Sequence, residues 1–251
     1  MKSQICDILG IEFPMVAFSH CRDVVAAVSK AGGMGVLGAV GLSPEKLEIE
    51  LNWIDSHVNG KPYGVDVLVP NSYVGKGENL TTEDLRAMIP EEHREFRANV
   101  LERHDIDASD LRNESESNKV ESESNQVLGA GLDGAKEVLE VAFSHPIGLV
   151  ANALGVPPKW MLEMGKKNNV PVAALVGAKQ HAVKQAEAGV DIIVVSGTEG
   201  GGHCGSVSTM VLVPEVRRAL QSYGDVPILA AGGICTGEQM AGVMAMGADG
   251  V

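Results

Sequence analysis

The chain has 251 residues, 45% hydrophobic and only 4% aromatic, with a formal net charge of −13. This length is sufficient for one large domain with a substantial core. The negative charge argues against binding to nucleic acid or to an anionic membrane surface, because both would repel the chain. No C-x-x-C pair, secretory signal or membrane-spanning run is present, which favours a reducing, cytoplasmic compartment.

The first half of the chain contains three predicted strands and one clear helix. PMVAFS at 14–19 is a short apolar strand, and RDVVAAVSKAGG at 22–33 is a helix that ends at two glycines. MGVLGAV at 34–40 and KPYGVDVLVP at 61–70 predict the next two strands. Apolar runs of this kind are typical of strands buried on both faces of a parallel sheet.

The middle of the chain, about 75–145, is predicted to be an irregular insertion. Within it, residues 114–127 read ESESNKVESESNQV, a seven-residue unit written twice. Such a polar segment buries too little apolar surface to offset the entropy of ordering it. We interpret it as a solvated surface insertion; an acidic docking element or a lid is the alternative.

The second half alternates regularly between strands and helices. Strands are predicted at 147–155, 170–176, 190–196 and 226–231, and GADGV at 247–251 is the start of one more. The helix after the second of these strands ends at Gly189, the next opens at Pro214, and the last has a capping box formed by Thr236 and Gln239.

Seven strands and the opening of an eighth, separated by helices, indicate parallel βαβ units with right-handed crossovers. The predicted fold is therefore an α/β (β/α)8 barrel in a single domain, 1–251. A doubly wound open sheet is the alternative.

Two glycine-rich stretches follow consecutive strands. GTEGGGHCG comes directly after Ser196, and Gly232 and Gly233 follow the next strand. Glycines let backbone N–H groups approach an anion closely, and barrels commonly bind phosphate after their last two strands. The sequence thus predicts a phosphate site here; tight turns alone are the alternative.

His203 stands beside these glycines and has an unperturbed pKa suited to acid–base catalysis. Cys204 is an alternative nucleophile, whereas the other six histidines are interpreted as solvated. Glu199 either orients the imidazole or faces water. No pattern of metal-ligand spacing is present, so no metal site is predicted.

The stretches GTEGGGHCG, LVPEV and VPILAAGGICTGEQMAGVMAMGADGV resemble the nitronate monooxygenase family, formerly called 2-nitropropane dioxygenases. VVAAVSKAGGMGVLG and KPYGVDVLVP resemble its first helix and its second and third strands. The resemblance covers most of the chain except about 75–145. It implies an FMN-dependent barrel that oxidises alkyl nitronates, and in some members nitroalkanes, with molecular oxygen.

The resemblance also implies roles for individual residues. His203 matches the active-site histidine, the acid/base of the family. The positions implied to contact the flavin or its phosphate are Ala17, Phe18, Ser19, Asp66, Ser196, Gly201, Gly202, Gly232 and Gly233.

Three departures from the family pattern affect these expectations. Ser196 replaces a common Gln, and Asp66 replaces a common Asn, which would put a negative charge near an electron-rich flavin. The sequence stops at Val251, before the rest of the last strand and the second phosphate turn. We therefore expect an open barrel edge and half a phosphate site. Either this chain is a fragment, or a partner, such as a second copy in a homodimer, or a rearrangement covers the gap.

Three rival functions remain open at this point. A flavin-dependent NAD(P)H reductase, of the enoyl-acyl-carrier-protein or quinone reductase type, shares the Gly-Gly-His stretch. A purine-nucleotide dehydrogenase of the inosine-phosphate type would use Cys204 as its nucleophile. An inactive truncated barrel is the third rival.

Overall fold

The computed structural model describes residues 3–69, 84, 87–108, 131–202 and 204–251. The chain divides into two compact units, one formed by Met1–Asn71 with Ala135–Val251 and the other by Ser72–Gly134. The repeat at 114–127 lies outside the described residues.

The first unit contains one parallel sheet of seven strands, and each predicted strand is confirmed. The strands are β1 (Val16–Ser19), β2 (Met34–Gly38), β3 (Tyr63–Val67), β4 (Leu149–Asn152), β5 (Val172–Val176), β6 (Ile192–Ser196) and β7 (Ile228–Ala231). They lie side by side in chain order, and every pairing is parallel. A doubly wound sheet would reverse its strand order, so the alternative is wrong and the barrel topology is confirmed.

The two outer strands are joined at their amino ends by the last two residues of the sequence. Gly250 accepts a hydrogen bond from the Ala230 N–H of β7 at 2.9 Å, and Val251 accepts one from the Val16 N–H of β1 at 2.7 Å. The Val251 N–H donates to the Pro14 oxygen at 2.9 Å. The expected open edge is therefore bridged at this end, because Gly250 and Val251 take the place of an eighth strand.

The described helices include the predicted ones after β1, β5, β6 and β7, together with others that the sequence analysis did not specify. They are α1 (Gln4–Leu9), α2 (Arg22–Lys30), α3 (Pro44–His57), α4 (Glu91–Glu102), α5 (Gly131–Ser144), α6 (Lys159–Asn168), α7 (Lys179–Ala188), α8 (Thr209–Leu220) and α9 (Gly237–Ala245), with a 3₁₀ turn at Gln221–Tyr223. None of the helices in these described segments is long and apolar enough to cross a membrane.

The prediction of an irregular stretch over about 75–145 is wrong for α4 and α5. In α5, Val138, Leu139 and Ala142 recur at helical spacing and are buried. In α4, Glu91 and Glu92 occupy the first turn, where acidic side chains favour a helix.

The helix predicted to open at Pro214 begins five residues earlier, at Thr209. Pro214 lies inside α8, where it removes one backbone hydrogen bond. The buried face of α8 runs across the proline, from Leu212 and Val213 to Val216 and Leu220. Burial of each such side chain contributes about 1.5–3 kcal/mol, which together outweighs the loss at Pro214.

The ends of the neighbouring helices follow the sequence signals. Gly189 ends α7 with φ 85°, a backbone conformation that residues other than glycine rarely adopt. At α9 the Thr236 hydroxyl accepts from the Gln239 N–H, and the Gln239 side chain accepts from the Thr236 N–H. The predicted capping box is confirmed.

The seven strands, joined through Gly250 and Val251, form a ring of strands. The interior of this ring is apolar, and it is closed at the amino ends of the strands. Ile5 and Leu9 of α1 are buried against the first inward-facing residues of alternate strands, among them Met34, Leu149 and Ile192. The helices pack on the outside of the sheet and form two further clusters. Because α1 fills the amino end, a ligand can reach the ring interior only from the carboxyl ends of the strands.

Two aspartates fix the register of strands at the amino end. The Asp191 carboxylate accepts from the Val172 N–H of β5 at 2.8 Å, and the Asp249 carboxylate accepts from the Ile228 N–H of β7 at 2.8 Å. Each aspartate comes two residues after a glycine at the end of a helix, and the residue between them is apolar and buried. Arg217 of α8 also binds Asp249 and donates to the Gly247 oxygen at 2.7 Å, which anchors the closing segment.

Candidate functional site at the carboxyl ends of the strands

Phe18 at the end of β1 presents an apolar surface at the open end of the ring. Its side chain is 56% exposed, and its ring meets the His20 imidazole edge-on with centroids 5.0 Å apart. A Cβ on Gly38 would lie 2.8 Å from the Phe18 ring and 2.6 Å from the His20 ring, so only glycine fits beneath this pair. His20 Nδ1 lies 3.2 Å from the Gly38 oxygen.

The three β1 residues implied to contact a flavin do not share one face. Strand side chains alternate, so Phe18 faces the ring interior while Ala17 and Ser19 face the helices. The Ser19 hydroxyl accepts from the Cys21 N–H at 3.0 Å and supports the turn into α2. Of the three side chains, Phe18 alone is oriented toward a ligand in the ring.

Asp66 lies on β3 and faces the same interior. Its neighbours in register are Gly38 on β2 and Ala151 on β4, neither of which has a polar side chain. Asp66 is 6% exposed, and its Oδ1 has no hydrogen-bond partner. Burial raises the pKa of this carboxyl to about 7, because the charged form is poorly solvated there.

The two glycine-rich loops lie against each other after β6 and β7. A Cβ on Gly200 would lie 2.7 Å from the Ser196 hydroxyl oxygen and 3.8 Å from the Gly232 Cα. Gly232 and Gly233 have φ of 94° and 70°, and a Cβ on Gly233 would meet the Glu199 side chain at 2.9 Å. The prediction that the two loops lie next to each other is confirmed. Close packing is a second reason for glycine at these positions, because an added Cβ would collide with neighbouring atoms.

Thr209, at the start of α8, ties both loops together and was not singled out from the sequence. It is 4% exposed; its hydroxyl accepts from the Gly197 N–H at 3.2 Å and lies 3.3 Å from the carbonyl oxygens of Ala231 and Gly232. The Glu199 carboxylate accepts from the Thr209 N–H at 2.8 Å and from its hydroxyl at 2.9 Å.

Glu199 therefore has a structural role. The Thr209 N–H is the main cause of the lowered pKa of Glu199, since it stabilises the carboxylate. An anion at the N-terminus of α8 also interacts favourably with the helix dipole. The two interpretations considered for Glu199, a solvated side chain or an orienting partner for an imidazole, both leave out this contact.

Four amides in the two loops are available to a ligand. Within the described residues, the N–H groups of Gly201, Gly202, Gly232 and Gly233 donate no hydrogen bond. No described atom lies within 4 Å of a Cβ built on Gly201 or Gly202. The two loops thus present unpaired donors and open space on the same edge as Phe18 and Asp66.

His203, the predicted acid/base, lies outside the described residues, between the exposed Gly202 and Cys204. The Cys204 thiol is exposed, with Sγ 3.8 Å from the Thr198 oxygen. In the described segments, no group of three or more His, Cys, Asp or Glu is placed to hold a metal ion.

The interpretation of the other histidines as solvated is wrong for His145, whose side chain is 6% exposed. Its Nδ1 lies 2.6 Å from Asp55 Oδ2 and its Nε2 3.1 Å from Glu48 Oε2, while the Tyr63 hydroxyl donates to Asp55 Oδ1 at 2.6 Å. Desolvation lowers the pKa of His145, but the bonds to Asp55 and Glu48 outweigh it and raise the pKa. This network joins α3 to Tyr63 at the start of β3 and to His145 just after α5. It lies away from the carboxyl ends of the strands.

Comparisons with known proteins agree with this fold. The sequence profile of the nitronate monooxygenase family matches residues 2–251, and the chain belongs to that family. A Mycobacterium tuberculosis protein named as a monooxygenase is 49% identical over 252 residues, covering 100% of this chain and 64% of the relative. A Staphylococcus saprophyticus protein named as a nitronate monooxygenase is 25% identical, with 100% and 66% covered.

Solved structures show the same fold. Nitroalkane oxidase from Streptomyces ansochromogenes superposes with a TM-score of 0.70 at 22% identity, covering 99% of this chain and 66% of that one. FabK from Thermotoga maritima superposes with a TM-score of 0.67 at 23% identity, with 100% and 60% covered. The chain spans a little under two thirds of the length of the curated relatives it matches.

Proposed function

We propose that this chain forms the FMN-binding barrel of a nitronate monooxygenase. The proposed reaction is oxidation of alkyl nitronates by molecular oxygen; a neutral nitroalkane would also react once a proton is removed from it. Membership of the family supports this activity. The structural observation that carries the proposal is the set of unpaired glycine amides on the adjoining loops after β6 and β7. In a chain with a net charge of −13, such amides are a local means of binding a phosphate.

The residues at the open end fit an FMN molecule. We assign the phosphate to the N–H groups of Gly201, Gly202, Gly232 and Gly233, and the ring to the surface made by Phe18, with Asp66 and Ser196 as polar contacts. When bound, the flavin supplies the transfer of electrons from substrate to oxygen. Ala17 and Ser19 could contribute only backbone contacts, because their side chains face the helices.

His203 is proposed to hold and transfer the substrate proton. It follows the exposed Gly202 on the loop after β6, and an imidazole can act as base or acid near neutral pH. The expected partners are small molecules, the nitronate or nitroalkane and oxygen. A cytoplasmic location and a homodimer remain predictions from the sequence.

The test begins with the visible absorption spectrum of the purified chain and identification of any flavin released on denaturation. Bound FMN, or tight uptake of added FMN, is the expected result. A colourless protein that takes up no added FMN would refute the proposal for this chain.

Substrate assays then choose between oxidase and reductase. We expect oxygen consumption with an alkyl nitronate and no oxidation of NAD(P)H, whereas NAD(P)H consumption would favour the reductase. His203→Asn should retain FMN and lose about 10²–10⁴-fold in turnover of a neutral nitroalkane. Cys204→Ser is the matched control, since full activity of that variant excludes a cysteine nucleophile.

A further inference from the structure

Asp66 is a buried carboxyl without a partner in the wall of the proposed flavin site. Tyr63, Val65 and Val67 on the same strand pack against the outer helices, so Asp66 alternates with them and faces the ring interior. Only 6% of Asp66 is exposed, and its Oδ1 forms no hydrogen bond. A buried polar atom of this kind calls for an explanation, since almost all such atoms in folded proteins are paired.

The surroundings of Asp66 contribute no compensating charge among the described residues. Gly38 and Ala151, its register neighbours, are uncharged. A titratable side chain near Gly38 is His20, just after β1, and its Nδ1 lies 3.2 Å from the Gly38 oxygen. No described ion pair includes Asp66.

Two described charged groups on this edge, Lys179 and Glu199, are engaged elsewhere. Lys179, after β5, forms an ion pair with Glu215 at 2.7 Å, and the Glu199 carboxylate is held by Thr209. The charge state of Asp66 is therefore set mainly by desolvation, which raises its pKa to about 7. The carboxyl can change between neutral and charged forms close to neutral pH.

We propose that Asp66 is a proton-linked binding residue that offers a neutral carboxyl O–H to an acceptor atom of the flavin ring. This inference rests on the proposed function, because it needs a flavin at the open end. Covering Asp66 with a ring removes the exposure it has left, which penalises the charged form further. Binding therefore takes up one proton from solvent wherever the carboxyl was ionised beforehand, and no other bond changes.

Position 66 is commonly Asn in the family that the sequence resembles, and an Asp there should make flavin binding depend on pH. An amide donates a hydrogen bond at every pH, whereas the Asp66 carboxyl donates only when protonated. Flavin affinity in this chain should therefore weaken as pH rises, by up to about tenfold per pH unit above the pKa of the free site.

The test is calorimetric titration of the chain and of Asp66→Asn with FMN, at about pH 6 and about pH 8, in buffers of different ionisation enthalpy. We expect the Asp66 protein to take up close to one proton more than Asp66→Asn at the higher pH, and the two to agree at the lower pH. Proton exchange by the FMN phosphate or by His203 occurs in both proteins and cancels in the difference.

Equal proton uptake and parallel pH dependence in the two proteins would overturn the inference while leaving the flavin site intact. Failure of the unmodified chain to bind FMN would refute the proposed function and this inference with it. If Asp66→Asn fails to fold, infrared spectra of the FMN complex decide: the carbonyl band of a protonated carboxyl at neutral pH supports the proposal, and its absence overturns it.

Discussion

Gly35 in β2 offers the sharpest test of how the helices pack on the ring. A Cβ at this position would lie 2.2 Å from the Val25 carbonyl oxygen and 2.5 Å from the Val25 Cα, both in the backbone of α2. Separations below 3.0 Å are essentially never found for real Cβ atoms, so α2 would have to move by about 1 Å in a close-packed layer.

The expected effect of Gly35→Ala is a fall in the free energy of unfolding. Forcing an extra carbon into a packed interior costs about 1–3 kcal/mol, or more where backbone must move. Alanine recovers about 0.4–1 kcal/mol by restricting the unfolded chain. Because the clash is with backbone, the cost lies at the upper end of its range, and the net loss should be about 2 kcal/mol or more.

Gly242→Ala is the matched control. Gly242 lies within α9, is exposed, and has no described atom within 4 Å of an added Cβ. Because alanine favours a helix over glycine, this variant should gain about 0.5–1 kcal/mol. Urea denaturation measures both changes, and a Gly35→Ala protein as stable as Gly242→Ala with an unchanged m-value would refute the described packing of α2 on β2.

Further predictions concern pH, the glycine loops and the cap of α9. Asp66 binds its proton more tightly in the folded state, so stability is lost as pH rises from about 4 to about 7; Asp66→Asn should remove this loss, seen as a flatter melting temperature against pH. The pKa of His145 is also raised on folding, so its contribution is complete below about pH 6.5 and lost as pH rises through the folded value; His145→Asn should destabilise the chain more at about pH 6 than at about pH 9, and equal losses would contradict the bonds to Asp55 and Glu48. Gly201→Ala should leave the melting temperature unchanged but weaken FMN binding about tenfold or more, and unchanged affinity would place the flavin elsewhere. Thr236→Ala should cost about 1 kcal/mol in denaturant unfolding, and a neutral effect would contradict the capping box.

The strands could be predicted from the sequence because each is a short buried run between clear turn signals. β6, for example, lies within the predicted 190–196, and its neighbours follow in chain order. α1 could not be predicted in the same way, since six residues make fewer than two helical turns and cannot show a repeating apolar pattern, and its burial depends on distant strands. α5 was missed because a polar, low-complexity stretch precedes its apolar face.

The candidate site, like the fold, could be predicted from the sequence only in part. The chain order of the two glycine loops was sufficient to predict that they adjoin, because consecutive parallel strands end on one edge. The sequence could not show that Glu199 would bind Thr209, ten residues away across a glycine turn. The burial of Asp66 was equally hidden, because it depends on a glycine and an alanine supplied by two other strands.

The aspartates at the amino end of the ring also bear on how the chain folds. Asp191 reaches an amide only 19 residues away in sequence, and Asp249 one 21 residues away, so each contact closes a short loop. A strand–helix–strand segment can therefore find its alignment from its own residues before the ring is complete. Barrels depend on parallel pairing, which is slow when it needs distant partners. These short-range contacts should let local units form early and leave the meeting of β7 with β1, through Val251, as a late event in folding.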